Sequence, residues 1–227
     1  MSNNQSSSWN NLISKSSSKL DEVDRLNEAI FGIIMTLTFT CTINAASAGE
    51  GEVQTILWGA LGSTVAWGII DAVMYLFSVG MNRGESFNTI HVVRNAKSDA
   101  EADEALKDAL PGVMATLFSE QQYSFLRNEI KKLPEPPEKT IITGGDYVAA
   151  FKIFLTVFLA ALPVAIPFIF SKDVYVAMRI SNSVAIISLF IAGFIFGKRT
   201  REKPLMSGFR FAAIGFGLTL MTIALGG

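Results

Sequence analysis

Cysteine and histidine are almost absent from this 227-residue chain, which contains one of each, Cys41 and His91. A single cysteine excludes an internal disulfide framework, and a single histidine excludes a zinc site built from several histidines. Charged residues make up only 17% of the chain, and the formal net charge is −1. This balance indicates no particular class of partner, and no nucleic-acid partner is expected.

Apolar residues are abundant instead: they form 50% of the chain, and the mean hydropathy is +0.38. A bilayer core of about 30 Å requires roughly 20 predominantly apolar residues in a helix. The segments that satisfy this length are residues 29–48, 55–80, 147–170, 180–197 and 205–225. The sequence therefore predicts an all-α integral membrane protein with five transmembrane helices in a lipid bilayer.

Basic residues indicate how these helices are oriented. The connection between the first two spans has no lysine or arginine, whereas residues 82–146 contain eight and residues 198–203 contain four. By the positive-inside rule, the N-terminus, the long middle segment and the 198–203 turn are cytoplasmic. The predicted organisation is a disordered cytoplasmic tail, two transmembrane helices, a cytoplasmic helical segment and three further transmembrane helices, with boundaries at 1–23, 24–81, 82–146 and 147–227.

The middle segment has the pattern of a small helical hairpin. Ser98 has the position of an N-cap, and the acidic residues after it suit the positive end of a helix dipole. Pro111 and Gly112 then interrupt the helical pattern. The second helix carries an amphipathic face that consists of Val113, Leu117, Tyr123 or Phe125, and Leu126.

Asp71 is the unusual residue of the second span, because a carboxylate at the bilayer centre costs at least about 2.5 kcal/mol on insertion scales. It shares a helical stripe with Met74, one turn away. In the first span, Glu28 lies at the predicted cytoplasmic mouth, and Met35 is expected at a depth similar to that of Asp71. A carboxylate and two thioethers around one point can coordinate a borderline divalent ion such as Fe(II) or Mn(II).

Simpler interpretations of these residues stay open. Methionine in a membrane helix most often serves ordinary packing, and a hydrogen bond from another helix would also account for Asp71. Pro163 and Pro167 in the third span each free a carbonyl, which produces either a kink or an opening toward an ion. The last span predicts close helix packing through small residues four apart, in the pairs Gly208/Ala212 and Ala213/Gly217.

Three stretches of the sequence resemble the vacuolar iron transporter family. They are "NEAIFG" in the first span, "YVAAFKIFLTVFLAALPVAIPFIF" in the third and "KPLMSGFRFAAIGFGLTLMTIALGG" in the last. The resemblance extends over roughly residues 24–225. It implies a five-span homodimer that exports Fe(II) or Mn(II) from the cytosol in exchange for protons, with Glu28 as the carboxylate at the cytoplasmic entrance.

The chain departs from the family pattern at the transport ligands. The family has an aspartate ligand at the position of Met35, and ungapped alignment puts Asp71 where the family has a methionine ligand. The carboxylate and the thioether are thus exchanged between the two helices, which fits either a preserved site or a relative that has changed substrate or lost transport. The family's acidic metal-binding helices are matched only loosely, in a run typical of a solvated face, by Glu101, Asp103, Glu104 and Asp108.

The sequence thus predicts a homodimeric membrane transporter rather than an enzyme, with a divalent metal ion and a proton as partners and no resident cofactor. The predicted metal ligands are Glu28, Met35, Asp71 and Met74. Because Asp71 can bind either a proton or the metal, their exchange would couple export to proton antiport. The alternative is a non-transporting membrane scaffold whose cytoplasmic hairpin recruits a partner. The short chain favours the plasma membrane of a bacterium slightly over a vacuolar membrane.

Overall fold

The computed structural model of the protein describes Trp9, Ile13 and residues 22–42, 52–137 and 139–224. All regular elements among these residues are helices, as the sequence predicts. The helices are α1 (Glu22–Cys41), α2 (Glu52–Asn95), α3 (Asp99–Ala109), α4 (Gly112–Leu117), α5 (Glu120–Lys132), α6 (Gly144–Ala165), α7 (Pro167–Phe170), α8 (Val174–Arg199) and α9 (Pro204–Ala224).

Four helices among the described residues are long and apolar enough to cross a membrane, namely α2, α6, α8 and α9. Helix α1 has 20 residues, but its first two turns contain several charged side chains. The fifth transmembrane helix and the cytoplasmic N-terminus therefore stay predictions.

Two predicted spans have different ends in the structure. The second was predicted over residues 55–80, but α2 is one continuous helix of 44 residues. No proline follows Gly80 in α2, and single glycines are tolerated in a helix, so nothing ends it before Asn95. The third span, predicted over residues 147–170, breaks at Ile166 because Pro167 begins the separate helix α7. Near this break, the Ser181 hydroxyl donates a 2.7 Å hydrogen bond to the carbonyl of Val164.

The chain divides into two compact units, one formed by residues 1–17 and 75–147 and the other by residues 18–74 and 148–227. The second unit is built around α1. Its residues Ile33, Leu37 and Cys41 form one buried stripe that packs against α6 and α8. Because lipid tails are as apolar as leucine, close packing rather than the hydrophobic effect holds such a core together.

Helices α8 and α9 approach closely through glycines. A Cβ atom at Gly193 would lie 2.7 Å from the carbonyl oxygen of Ser207, and one at Gly208 would lie 2.8 Å from the ring of Phe190. The prediction of close packing is therefore confirmed for Gly208. It is wrong for Gly217, which has no neighbouring atom within 4 Å of a Cβ position.

In the first unit, α3 and α5 pack together around Val93, Leu106 and Tyr123. Ser98 caps α3, because its side chain accepts a 3.2 Å hydrogen bond from the amide of Glu101. The predicted amphipathic face is correct at Tyr123 and Leu126. Of the alternatives Tyr123 and Phe125, the face contains Tyr123, and Phe125 is exposed. The prediction is wrong at Val113 and Leu117, which are exposed because Pro111 and Phe118 separate α4 from both longer helices.

Trp9 and Ile13 are buried in the first unit, although the sequence predicts a disordered tail there. The Trp9 indole donates a 2.9 Å hydrogen bond to the carbonyl of Glu135. Its ring also meets Phe87 edge-on, with 5.3 Å between the ring centroids. These contacts tie Trp9 to α2 and to the chain that leads into α6.

This contact can be detected by fluorescence, because the chain has only three tryptophans, Trp9, Trp58 and Trp67. We expect the double variant W58F/W67F, in which Trp9 alone emits, to show the short-wavelength emission of a buried indole. Phe87→Ala should move this emission toward that of indole in water, because losing a buried ring costs about 3–5 kcal/mol. Phe125→Ala, on the exposed face of α5, should not. Long-wavelength emission before any substitution at Phe87 would refute the contact.

Candidate functional site

Helices α1 and α2 pack along a seam that fixes their relative register. Aromatic rings 6.1 Å apart meet at one level, hydroxyls 3.3 Å apart at the next, and a phenylalanine ring covers a glycine at the third. These contacts pair Phe31 with Trp67, Thr36 with Thr64, and Phe39 with Gly59. Across the three contacts, residue numbers rise by eight on α1 and fall by eight on α2. The two helices are therefore antiparallel.

Extending this register by one turn toward the start of α1 places Glu28 level with Asp71. Both residues continue the stripes of the threonine pair: Glu28 precedes Thr36 by eight residues, and Asp71 follows Thr64 by seven. A Cβ atom at Gly68 would lie 2.9 Å from the ring of Phe154, so this part of α2 also faces α6. The two predicted carboxylates thus belong to one end of one seam.

Asp71 has the most unusual environment in the seam. One of its carboxylate oxygens is fully enclosed and has no hydrogen-bond partner within the described part of the chain. Leaving a buried polar group unsatisfied costs about 1–3 kcal/mol, and more for a charged group. The simpler interpretation, a hydrogen bond to a neighbouring helix, does not account for this oxygen.

The structure separates one predicted methionine ligand, Met35, from this carboxylate. Met35 is level with Thr64, which lies seven residues, or about 10 Å, along α2 from Asp71. The expectation of similar depth is therefore wrong. It assumed the predicted span ends, whereas α1 begins at Glu22 and α2 continues to Asn95. Met74 is 55% exposed.

Two turns along the seam from the carboxylates lies a buried pair of hydroxyls. Thr36 donates a 3.0 Å hydrogen bond to the carbonyl of Gly32, and Thr64 donates a 2.8 Å bond to that of Ala60. The two hydroxyl oxygens lie 3.3 Å apart, within hydrogen-bonding distance, and either can donate to the other. The pair thus places two buried hydroxyl oxygens at one level of the seam.

Polar side chains continue along α1 toward its C-terminal end. Thr40 is fully buried and bonds to the carbonyl of Leu37. One residue later, the Cys41 thiol donates a 3.4 Å hydrogen bond to the side-chain oxygen of Asn182 on α8. The sequence reading missed Thr64 and Asn182. The signal was available, since Thr64 lies two turns before Asp71 and Asn182 is an amide inside an apolar span.

The acidic run of α3 is used in packing. Buried Arg127 on α5 pairs with Asp99 at 3.1 Å and also with Asp103. Glu101 accepts a 2.8 Å hydrogen bond from the amide of Lys97. The described residues contain no group of three or more His, Cys, Asp or Glu side chains placed to hold a metal ion. In α3, acidic side chains therefore serve in ion pairs and in a contact at the start of the helix.

Two comparisons with known proteins bear on the family of this chain. A search among curated proteins gave no match. The family model described as the VIT family matches residues 93–227, which is more than half of the chain. The matched region contains α6, α8 and α9, whereas Asp71 and the seam precede it. The protein is therefore a multi-pass integral membrane protein, and the chain belongs to the VIT family, the vacuolar iron transporters.

Proposed function

We propose that the protein exports a divalent metal ion, Fe(II) or Mn(II), from the cytosol in exchange for protons. Membership of the VIT family supports metal-ion transport. The observation that carries the proposal is the enclosed carboxylate oxygen of Asp71, which no described group satisfies. A cation that visits this oxygen repays the cost of keeping it inside the protein.

The ion enters between Glu28 and Asp71, the two carboxylates at one level of the seam. Both are acceptor-only oxygen ligands when ionised, which suits a hard or borderline divalent ion. The next oxygens along the seam belong to Thr36 and Thr64, a buried pair 3.3 Å apart. Thr40 and Cys41 continue this polar line. Met35, level with the threonines, supplies a softer ligand at this second position.

Proton antiport follows from the same carboxylate. Without a metal ion, a proton can neutralise Asp71 and lower the cost of its enclosure. A metal ion must displace this proton, so the two cargoes compete for one group. Alternating occupancy then moves protons toward the cytosol as metal leaves it. Met74, which the sequence suggested as a ligand, stays outside this pathway because of its exposure.

The protein works as a homodimer with its N-terminus in the cytoplasm, most simply in the plasma membrane of a bacterium. The positive charge of residues 198–203 supports this orientation. The described helices divide into no two equal halves, so a symmetry-related pathway requires a second copy.

Transport by the purified protein in liposomes tests the proposal. We expect uptake of Fe(II) and Mn(II) with opposite movement of protons, reported by a pH-sensitive dye in the lumen. Ca(II) should be transported poorly because it prefers more oxygen ligands than the two carboxylates at the entry level provide. Protein-free liposomes give the background leak. Metal uptake without any pH change would refute the antiport, and no uptake of either metal would refute the transport.

A second candidate function is supported by the hairpin of the first unit. Val113, Leu117 and Phe125 are between 64% and 75% exposed. Exposed apolar patches often mark protein-interaction surfaces. In this alternative the protein is a membrane scaffold, and the hairpin α3–α5 recruits a soluble partner. The absence of transport in liposomes would favour this function.

A further inference from the structure

A cleft of about 510 Å³ lies in the first unit, at the part of α2 where the apolar stretch of residues 55–80 ends. Its volume is within the range typical of small-molecule sites. Its lining is almost wholly apolar, with Thr140 as the polar exception. The lining residues are Leu76, Phe77, Gly80, Met81 and Gly84 on α2, and Thr140 and Ile142 on the chain that leads into α6.

The two glycines of this cleft are not explained by packing within the chain. A Cβ atom at Gly84 would meet no atom within 4 Å, and one at Gly80 would meet only the end of Ile142 at 3.9 Å. Neither glycine has a positive φ angle that would exclude a side chain. Each costs the helix about 1 kcal/mol relative to alanine. The floor of the cleft is therefore open and leaves room for an occupant from outside the chain.

The cleft suits one acyl chain of a membrane phospholipid. Phe77 and Met81 are more than 60% exposed, so the apolar surface of α2 continues into the cleft from its transmembrane part. Lys139, next to Thr140 at the rim, is exposed and forms no ion pair with any residue that the structure describes. A lysine beside an apolar cleft at the bilayer surface complements an anionic headgroup.

We propose that this cleft binds an anionic phospholipid, with one acyl chain along Gly80 and Gly84 and its phosphate near Lys139. Nearby Arg83 does not take this role, because it forms a two-point ion pair with Asp146. The site does not depend on the proposed transport. It gives the protein a means to respond to the lipid composition of its membrane.

Photolabelling in lipid nanodiscs tests the site. The intact protein is reconstituted in phosphatidylcholine with a small fraction of phosphatidylglycerol that has a diazirine in its acyl chain. After illumination, we expect labelled peptides to concentrate on residues 76–84 and 140–142. Gly84→Leu should abolish this labelling, because its Cβ atom meets no other atom within 4 Å and the rest of the side chain takes the space of the acyl chain. Gly62→Leu is the matched control, since Gly62 on the same helix also faces open space.

Each possible result of these labelling experiments either supports or overturns the proposed lipid site. The acyl-chain site is overturned if labelling is spread evenly over α2. It is also overturned if labelling survives Gly84→Leu in a variant whose Tm is maintained. A disulfide between two copies of a Met81→Cys variant also overturns it, because the occupant is then a second protein chain. Lys139→Gln should remove the preference for labelled phosphatidylglycerol over labelled phosphatidylcholine. Glycerol phosphate in solution should not compete, and competition would assign the rim to free phosphates instead.

Discussion

Asp71→Asn is expected to reduce metal transport in liposomes by about 100-fold or more, since losing even a group behind a metal ligand costs 10- to 100-fold. The amide keeps the size of the carboxylate but removes the charge that balances a divalent ion. It also removes the group that exchanges metal for protons. Fe(II) or Mn(II) uptake and the lumenal pH should therefore be lost together. The exposed carboxylate of Asp108 provides the control, because Asp108→Asn should change neither.

The same variant has an expected effect on stability with the opposite sign. Asp71 keeps an enclosed, unpartnered oxygen in the protein, and removing its charge relieves a desolvation cost. The Tm of purified Asp71→Asn should thus be unchanged or higher. A lower Tm together with retained metal transport would show that Asp71 serves the fold, which contradicts the proposed site.

Gly32→Val is expected to destabilise the protein strongly. A Cβ atom at Gly32 would lie 2.7 Å from the carbonyl oxygen and 3.2 Å from the Cα atom of Val157. Overpacking typically costs about 1–3 kcal/mol, and the upper end applies here because backbone atoms cannot move aside like the tip of a side chain. A large fall in Tm should result. Transport should also fail in any folded fraction, because α1 is pushed away from α6.

Gly62→Val is the matched control for this prediction. Gly62 lies on α2 with no atom within 4 Å of a Cβ position, so valine there should leave Tm and transport nearly unchanged. An equal loss of stability in both variants would mean that the cost of valine does not come from the close contact with Val157. An unchanged Gly32→Val would contradict the close approach of α1 and α6.

The sequence predicted those features that local chemistry determines. Apolar runs of sufficient length located the membrane helices α6, α8 and α9 to within several residues. Ser98 was identified as a cap because a hydroxyl before an acidic turn satisfies free amides at a helix start. The membership of the VIT family also followed from local motifs, and the best of them lie inside the matched region.

Features that depend on the register between helices could not be read from the sequence. The depth of Met35 relative to Asp71 depends on how far α1 slides along α2, and the contact of Thr36 with Thr64 fixes that. Hydropathy cannot locate the end of α2 either, since a helix can leave the membrane and continue in water. Burial of Trp9 depends on Phe87 and Glu135, which are distant in sequence. No periodic pattern near residue 9 encodes that contact.

The register changes how the exchange of ligands between α1 and α2 is interpreted. The resemblance suggested one site in which Asp71 and Met35 had swapped places. The structure instead gives two levels, with carboxylates at one and Met35 beside the threonine pair at the other. In the proposed pathway, an ion meets oxygen ligands first and a thioether about 10 Å later.

The most direct test of a metal ion at Asp71 is anomalous scattering from crystals of the protein grown with Mn(II). The account predicts a manganese peak bonded to the Asp71 carboxylate, at the level of Glu28 and two turns from Met35. The account would be contradicted if the Asp71 carboxylate were hydrogen-bonded to fixed protein groups and the manganese peak lay elsewhere, in a protein that still transports Mn(II).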